Sequence, residues 1–410
     1  MANLIPTPTT QPTTLFPILD STRPTDPRLS GMARLAANAT HADDGHLIEF
    51  RAMTARSILN KSISKRQLSL AYSINPFRGC EFACRYCYAR YTHEFLQPTS
   101  IATPPPGTHD IPQQPWALAF EREIYLKENA AWLLEQELRT LAPRLAQNQD
   151  EIAIGTATDP YQPIERRVGI TRSLLEVFAK HRGLRIGLIT KSSLITRDID
   201  LFQQIAARNT LVLHVTITTA DAELARLLEP RAPRPDLRFA AVKKLRAAGL
   251  TAGVLCSPLL PGINDSADAL DAVAARAADA GASFLGAHPL FLKSCSRPTW
   301  LSFVREHFPH LTADYTRRYA TADFIDPIYR NRMSSVIRQL CRKHHLGERS
   351  SDALLTRDHS STPPSPRKKQ ASEQRTPSGP HLASEMWERK KPSQPNRKPD
   401  TAQPSLFAAS

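Results

Sequence analysis

The sequence predicts an α/β fold built on a parallel sheet, and two observations carry that expectation. Between residues 152 and 287, short apolar runs of strand length alternate with amphipathic helical stretches, and three of those helices stop at Gly183, Gly249 and Gly281. A further strand over 68–74 leads into a loop broken by Pro76 and Gly79, which raises the count to about six strand–helix units. Parallel neighbours need crossover helices, so the alternation implies a parallel sheet. An open doubly wound sheet and a partial barrel fit it equally well.

The chain divides as follows. Residues 1–45, rich in Pro, Thr and Ala, read as a disordered arm. Residues 46–67 form a basic lead-in, with Arg51, Arg56, Lys61, Lys65 and Arg66 on a solvated face. The core spans 68–290. After its first strand, a helix is expected over 119–142, with Leu134, Leu138 and Leu141 on its apolar face and Pro143 as its stop. Strand 152–155 leads to helix 171–181, whose Leu174, Leu175 and Phe178 share one side. Strand 184–190 precedes helix 196–208, with Thr196 as N-cap and Asp198 and Asp200 in the first turn. Strand 211–216, helix 237–248, strand 250–256, helix 265–280 and strand 283–287 complete the alternation. Residues 291–347 read as a helical extension anchored by Trp300, Phe303, Phe308, Tyr315, Tyr319, Val336 and Leu340. Residues 348–410 turn to Pro, Ser, Lys and Arg and read as a disordered tail.

Composition narrows the partners. The 410 residues include 34 prolines and only 41% hydrophobic residues, as expected of a chain that is partly unpacked. The net charge of +14 favours polyanions, nucleic acid first. No apolar stretch approaches the roughly 20 residues of a membrane helix, and residues 1–17 lack the pattern of a secretory leader. Cys256, Cys295 and Cys341 are too isolated for a disulfide framework, so a reducing, cytoplasmic compartment is expected.

The chemistry concentrates in NPFRGCEFACRYCYARY, residues 75–91, where Cys80, Cys84 and Cys87 are spaced Cys-x3-Cys-x2-Cys. Thiolates so close can hold an iron–sulfur cluster. Three local ligands leave one iron of a four-iron cubane open. A zinc loop with His93 as fourth ligand is the alternative, although zinc sites usually come as paired elements and no second pair exists here. The spacing, with Tyr86 before the third cysteine, resembles the signature of the radical S-adenosylmethionine (radical SAM) superfamily. That resemblance implies a 4Fe–4S cluster, S-adenosylmethionine on the open iron, one-electron cleavage to a 5′-deoxyadenosyl radical, and an electron donor of flavodoxin or ferredoxin type. It also decides the fold in favour of a partial (β/α)6 TIM-type barrel, with the C-terminal helices on its open side.

In such a barrel the functional groups lie on loops at the carboxyl ends of the strands. Thr158 and Asp159 follow the second strand and suit the ammonium of S-adenosylmethionine, while Lys191, after the third, suits its carboxylate. Thr216 and Thr218 at the fourth suit the ribose, and the adenine suits the surroundings of Tyr86. The cysteine motif together with GTATDPYQPIE, ITKSS and CSPLLPGIND resembles the spore photoproduct lyase-like, DNA repair photolyase-like branch, over about residues 58–345. By that resemblance Thr158 or Asp159, Lys191, and Thr216 or Thr218 contact S-adenosylmethionine, and Tyr86 and Tyr88 match the tyrosines flanking the third cysteine. The lyase returns a hydrogen atom from a cysteine just after its second strand; this chain has Thr156-Ala157-Thr158-Asp159 there. Cys256, Cys295 and Tyr88 are the hydrogen donors that could take its place.

In the tail, Gln403, Leu406 and Phe407 resemble the short peptide by which bacterial replication and repair proteins dock on the sliding clamp. Three functions follow: a radical enzyme acting on nucleic acid, one modifying a protein, peptide or metabolite, or a non-catalytic metal-stabilised binding protein.

Overall fold

The computed structural model describes residues 40–45, 48–61, 70–96 and 114–348. Most of the arm and nearly all of the tail, including Gln403, Leu406 and Phe407, lie outside them.

The chain begins with β1 (Thr40–Gly45), β2 (Ile48–Met53), β3 (Asn60–Lys61), β4 (Leu70–Ile74) and β5 (Phe77–Arg78). Helix α1 (Pro115–Ala119), β6 (Glu123–Lys127) and α2 (Ala130–Asn148) lead to β7 (Glu151–Ile154). The order continues through α3 (Glu165–Val168), α4 (Ile170–Ala179), β8 (Arg185–Thr190), α5 (Ile199–Ala206) and β9 (Thr210–Thr216). Then come α6 (Ala222–Leu228), α7 (Pro235–Ala247), β10 (Ala252–Leu259), α8 (Ala267–Asp279) and β11 (Phe284–Pro289). Helices α9 (Arg297–His307), α10 (Thr312–Arg318) and α11 (Pro327–Lys343) precede β12 (Gly347–Glu348).

Strands β4, β7, β8, β9, β10 and β11 lie side by side in chain order, all parallel, with β3 and β12 at the two edges. The sheet does not close on itself among the described residues, so this is a partial barrel of six β/α units. Ile152, Ile154, Ile186, Leu188, Leu213, Val215 and Val254 are fully buried, as parallel strands covered on both faces require. Ser266 caps α8 by accepting from Ala269 N, and Asp221 caps α6 by accepting from Glu223 N and Leu224 N.

Several expectations change. The stretch read as one helix over 119–142 holds β6, which pairs in parallel with β2 in a second sheet ordered β1-β2-β6-β5. The basic lead-in is thus partly a strand, with Phe50 and Met53 buried and Arg51 paired with Glu49. Helix α2 runs through Pro143, because Leu145 beyond it is buried and Asp150 N closes the end on Leu145 O. The turn before α5 is capped by Ser192 rather than Thr196. The C-terminal helices separate. Trp300, Phe303 and Val304 of α9 and Tyr315 of α10 pack on the cysteine loop, whereas α11 lies against β11, where Cys341 Sγ donates to Leu285 O at 3.7 Å. No helix among the described residues is long and apolar enough to cross a membrane.

Lys127 closes β6 with its amine buried and donating to Asn75 O at 2.7 Å. Burial, with Arg78 adding repulsion, lowers its pKa from 10.5 to about 7. Between those values the unfolded chain binds more protons than the folded one, so stability rises with pH across that window. Lys127→Met should therefore stabilise most at pH 6, on the order of 2 kcal/mol, with the gain shrinking toward pH 10. Urea unfolding at the two pH values checks this, and a gain that does not change with pH contradicts it.

Candidate metal centre

Strand β4 delivers the cysteine loop at the carboxyl end of the sheet, and β5 turns it by pairing with β6. Gly79 has φ +89, and a Cβ there would sit 2.7 Å from Glu123 O and 2.9 Å from Phe120 O, so the position admits only glycine. Cys80 N donates to Phe120 O at 3.0 Å and Cys87 N to Cys84 O at 3.2 Å. Cys80 and Cys84 are buried, Cys87 is half-buried, and all three are free thiols. Burial pushes the Cys80 thiol far up, helped by Asp159 and the other two cysteines. Burial likewise pushes Cys84 up to about 12, against the pull of Lys191.

The donor set fits a cluster better than a single ion. A zinc ion needs its sulfur ligands at about 2.3 Å from one centre, whereas a cubane receives each thiolate at a different iron. His93, the fourth ligand of the zinc alternative, lies with Nε2 3.0 Å from Glu123 O and its ring edge-on to Phe120 and Tyr125. Burial lowers its pKa to about 4, so it is a neutral packing group.

Two other segments and the loop's own Arg90 fix it. From the end of β7, Thr158 Oγ1 donates to Gly79 O at 2.5 Å, Gln162 Oε1 accepts from Glu81 N at 2.8 Å, and Ile164 N donates to Glu81 Oε1 at 2.7 Å. At the end of α6, Leu228 O accepts from Arg85 N at 3.0 Å, and just beyond it Arg231 Nη1 donates to Glu81 O at 3.5 Å and to Glu121 O at 3.1 Å. Fully buried Arg90 holds Cys84 O at 3.3 Å and Ala117 O at 2.8 Å while pairing with Glu121 at 2.7 Å.

The strand-end residues gather around this loop. Both oxygens of Asp159 are engaged, by Thr190 Oγ1 at 2.6 Å, Tyr161 N at 2.9 Å and Lys191 N at 2.7 Å, so this carboxylate fixes the start of the Lys191 turn. The Lys191 ammonium stands 5.8 Å from the centroid of the Tyr86 ring. Burial opposes its charge, but Cys84, Glu229 and Asp159 outweigh that and raise its pKa. Thr216 is buried, and its carbonyl accepts from Arg238 Nη1 at 3.1 Å. Thr218 Oγ1 lies 3.1 Å from Tyr86 OH and donates to Glu229 Oε1 at 2.7 Å.

Cys256 is placed inside this group: its Sγ donates to Thr218 O at 3.4 Å, and burial pushes its pKa up to about 12. Tyr88 is partly exposed and donates to Thr156 O, at the position just after β7. Cys295 packs with Trp116 and Ala117, 3.7 Å from Ser296 Oγ, which in turn donates to Cys87 O at 2.8 Å.

Sequence reasoning missed Glu229. Its carboxylate accepts from Tyr86 OH and Thr218 Oγ1, and its Oε2 lies 2.5 Å from Arg238 Nη2, off-line for a hydrogen bond. Burial would raise its pKa, yet Arg238, Lys191 and the two hydroxyls hold it below the ordinary value, so it is charged. Its place in the Pro-rich stretch Glu229-Pro230-Arg231-Ala232-Pro233 gave no sign of burial, and the only available signal was the short helix before it. Gln162 and Asn75 were missed for the same reason, as polar residues in turns; Asn75 Oδ1 accepts from Ala157 N at 2.8 Å.

Comparison with known proteins agrees with this geometry. The family model described as "Radical SAM superfamily" matches residues 74–273. An uncharacterized protein of Mycobacterium bovis is 31% identical over 322 residues, 78% of this chain and 88% of the relative. One of Methanocaldococcus jannaschii is 27% identical over 194 residues, 47% of this chain and 62% of the relative. A spore photoproduct lyase variant solved with bound AdoMet and dinucleoside spore photoproduct shares the fold, at TM-score 0.50 and 14% identity over 75% of this chain and 82% of that one. With the three-cysteine loop at the carboxyl end of a partial barrel, and these matches, the chain belongs to the radical SAM superfamily.

Proposed function

We propose that Cys80, Cys84 and Cys87 hold a 4Fe–4S cluster and that Lys191, Tyr86 and Thr218 seat S-adenosylmethionine beside it. When bound, the cluster supplies one electron that cleaves S-adenosylmethionine to a 5′-deoxyadenosyl radical for hydrogen abstraction. The observation that carries this reading is the convergence on one loop of three free thiols, the Lys191 ammonium and the Tyr86 ring. Lys191 holds the carboxylate, Tyr86 packs on the adenine, and Thr216 and Thr218 face the ribose. Thr158 and Asp159 act at the ammonium end, where the hydrogen bonds they already make keep the turn in register. An external flavodoxin- or ferredoxin-type protein delivers the electron in the reducing cytoplasm. Anaerobic reconstitution with iron and sulfide, reduction, and assay for 5′-deoxyadenosine test this. A cluster that forms yet never cleaves S-adenosylmethionine leaves only a metal-stabilised binding protein.

The substrate reading that the surface favours is nucleic acid. Tyr88, next to Cys87, lies 5.6 Å from Phe291, which stacks on Phe324 at 4.4 Å, and the Lys293 ammonium sits 5.8 Å from the Phe291 centroid. A row of rings with a cation among them suits stacked bases and their phosphates, in a chain of net charge +14. The fold likeness to a lyase solved with a dinucleoside lesion points the same way. Phe291→Ala should weaken binding of single-stranded oligonucleotides about tenfold, in protein lacking residues 348–410, with affinity falling as salt rises. Binding that disappears with the tail would favour a protein, peptide or metabolite substrate. Tyr88, Cys256 or Cys295 returns a hydrogen atom to the product radical in this reading.

A further inference from the structure

Two of the groups assigned above to S-adenosylmethionine, Tyr86 and Thr218, meet at one buried carboxylate. Glu229 accepts from Tyr86 OH and from Thr218 Oγ1, and its charge acts on the Lys191 ammonium. On its other side stands Arg238, with both side chains at most 1% exposed. Tyr86 lies between Cys84 and Cys87 in the chain, so the carboxylate is linked through one phenol to the middle of the cluster loop. Neither residue reaches solvent, so water does not screen this charge.

We infer that Glu229 is a positioning residue that also sets the redox balance of the site: it fixes the Tyr86 ring and Thr218, and its negative charge makes the neighbouring cluster harder to reduce and so a stronger one-electron donor. The inference rests on the cluster assignment above. Its physics is sign-specific. Reduction adds one electron, supplied by dithionite in the experiment and by the protein donor in the cell. A fixed negative charge nearby opposes that addition, and a fixed positive charge favours it. Arg238 is then the counterweight: it keeps Glu229 ionised and leaves Lys191 available for the ligand's carboxylate.

The test is an EPR-monitored redox titration of the anaerobically reconstituted full-length protein, with iron content and S-adenosylmethionine affinity read on the same samples. Glu229→Gln keeps an acceptor for Tyr86 and removes the charge; its midpoint potential is expected to move to more positive values with iron content unchanged. Arg238→Gln is expected to move it to more negative values when read at alkaline pH, where Glu229, still bonded by Tyr86 and Thr218, stays ionised without Arg238, and this arm reads the inference whether or not the first variant folds. The double variant restores a neutral pair and should return toward the wild-type potential, since replacing both members of a buried ion pair is often tolerated. General loosening of the loop would move both single variants in the same direction, and that outcome overturns the inference, as does an unchanged potential in both. A wild-type protein that takes up no 4Fe–4S cluster overturns the cluster assignment itself, a distinguishable result.

Discussion

Alanine at Cys80, Cys84 or Cys87 is expected to abolish the brown absorbance of the reconstituted protein and, with it, all 5′-deoxyadenosine formation. On the assignment proposed above, the loop would supply one thiolate to each of three irons, and no other cysteine among the described residues stands where it could substitute. Cys256 is turned to Thr218 O, Cys295 is packed beside Trp116, and Cys341 lies behind β11. Cys84 is tied to its surroundings at two points: Arg90 fixes its carbonyl, and burial disfavours its bare thiolate unless a cation is bound. The fold itself should survive. The loop is fixed by hydrogen bonds to Thr158, Gln162, Leu228 and Arg90, none of which uses a cysteine side chain. Far-ultraviolet circular dichroism of each variant, beside iron and sulfide analysis, separates loss of cluster from loss of structure. Retention of the absorbance in all three variants refutes the ligand assignment.

Lys191→Ala is the second large effect. Its ammonium stands 5.8 Å from the Tyr86 ring centroid, and the Asp159 carboxylate orders the backbone that carries it by accepting from Lys191 N. A charge-assisted contact to a ligand carboxylate contributes roughly 1.5–3 kcal/mol, so the variant should bind S-adenosylmethionine about 10- to 100-fold more weakly, with the same iron content as wild type. Calorimetric or equilibrium-dialysis binding to the oxidised protein measures this without turnover. Unchanged affinity would transfer the carboxylate contact to another cation.

The parts of the fold that were legible in sequence are those governed by short-range pattern. The apolar runs that became β7 to β11 needed only local periodicity and glycine stops, and the three cysteines declared themselves by spacing alone. What was hidden depended on partners distant in the chain. Residues 123–127 read as helix because nothing local shows that Ile124 pairs with Phe50 of β2. Pro143 read as a stop because the burial of Leu145, which holds the last turn of α2, comes from tertiary packing. At the site, Lys191 and Thr218 were visible as polar residues at strand ends. Asp159 was visible too, although the sequence could not show that its oxygens already serve Thr190, Tyr161 and Lys191. Glu229 was invisible, because its role arises from Tyr86, Thr218 and Arg238 meeting it across three different segments.

The bracing of the cysteine loop has a consequence for the life of the protein. Its backbone contacts run to the loop after β7, to the end of α6 and to Arg90, and its apolar side chains pack on α9 and α10. The receptacle is therefore shaped by the polypeptide rather than by its cargo. On the proposed assignment, a cluster lost to oxygen would leave a seat that keeps its form, so iron and sulfide resupplied to the existing molecule are expected to restore it without refolding or new synthesis.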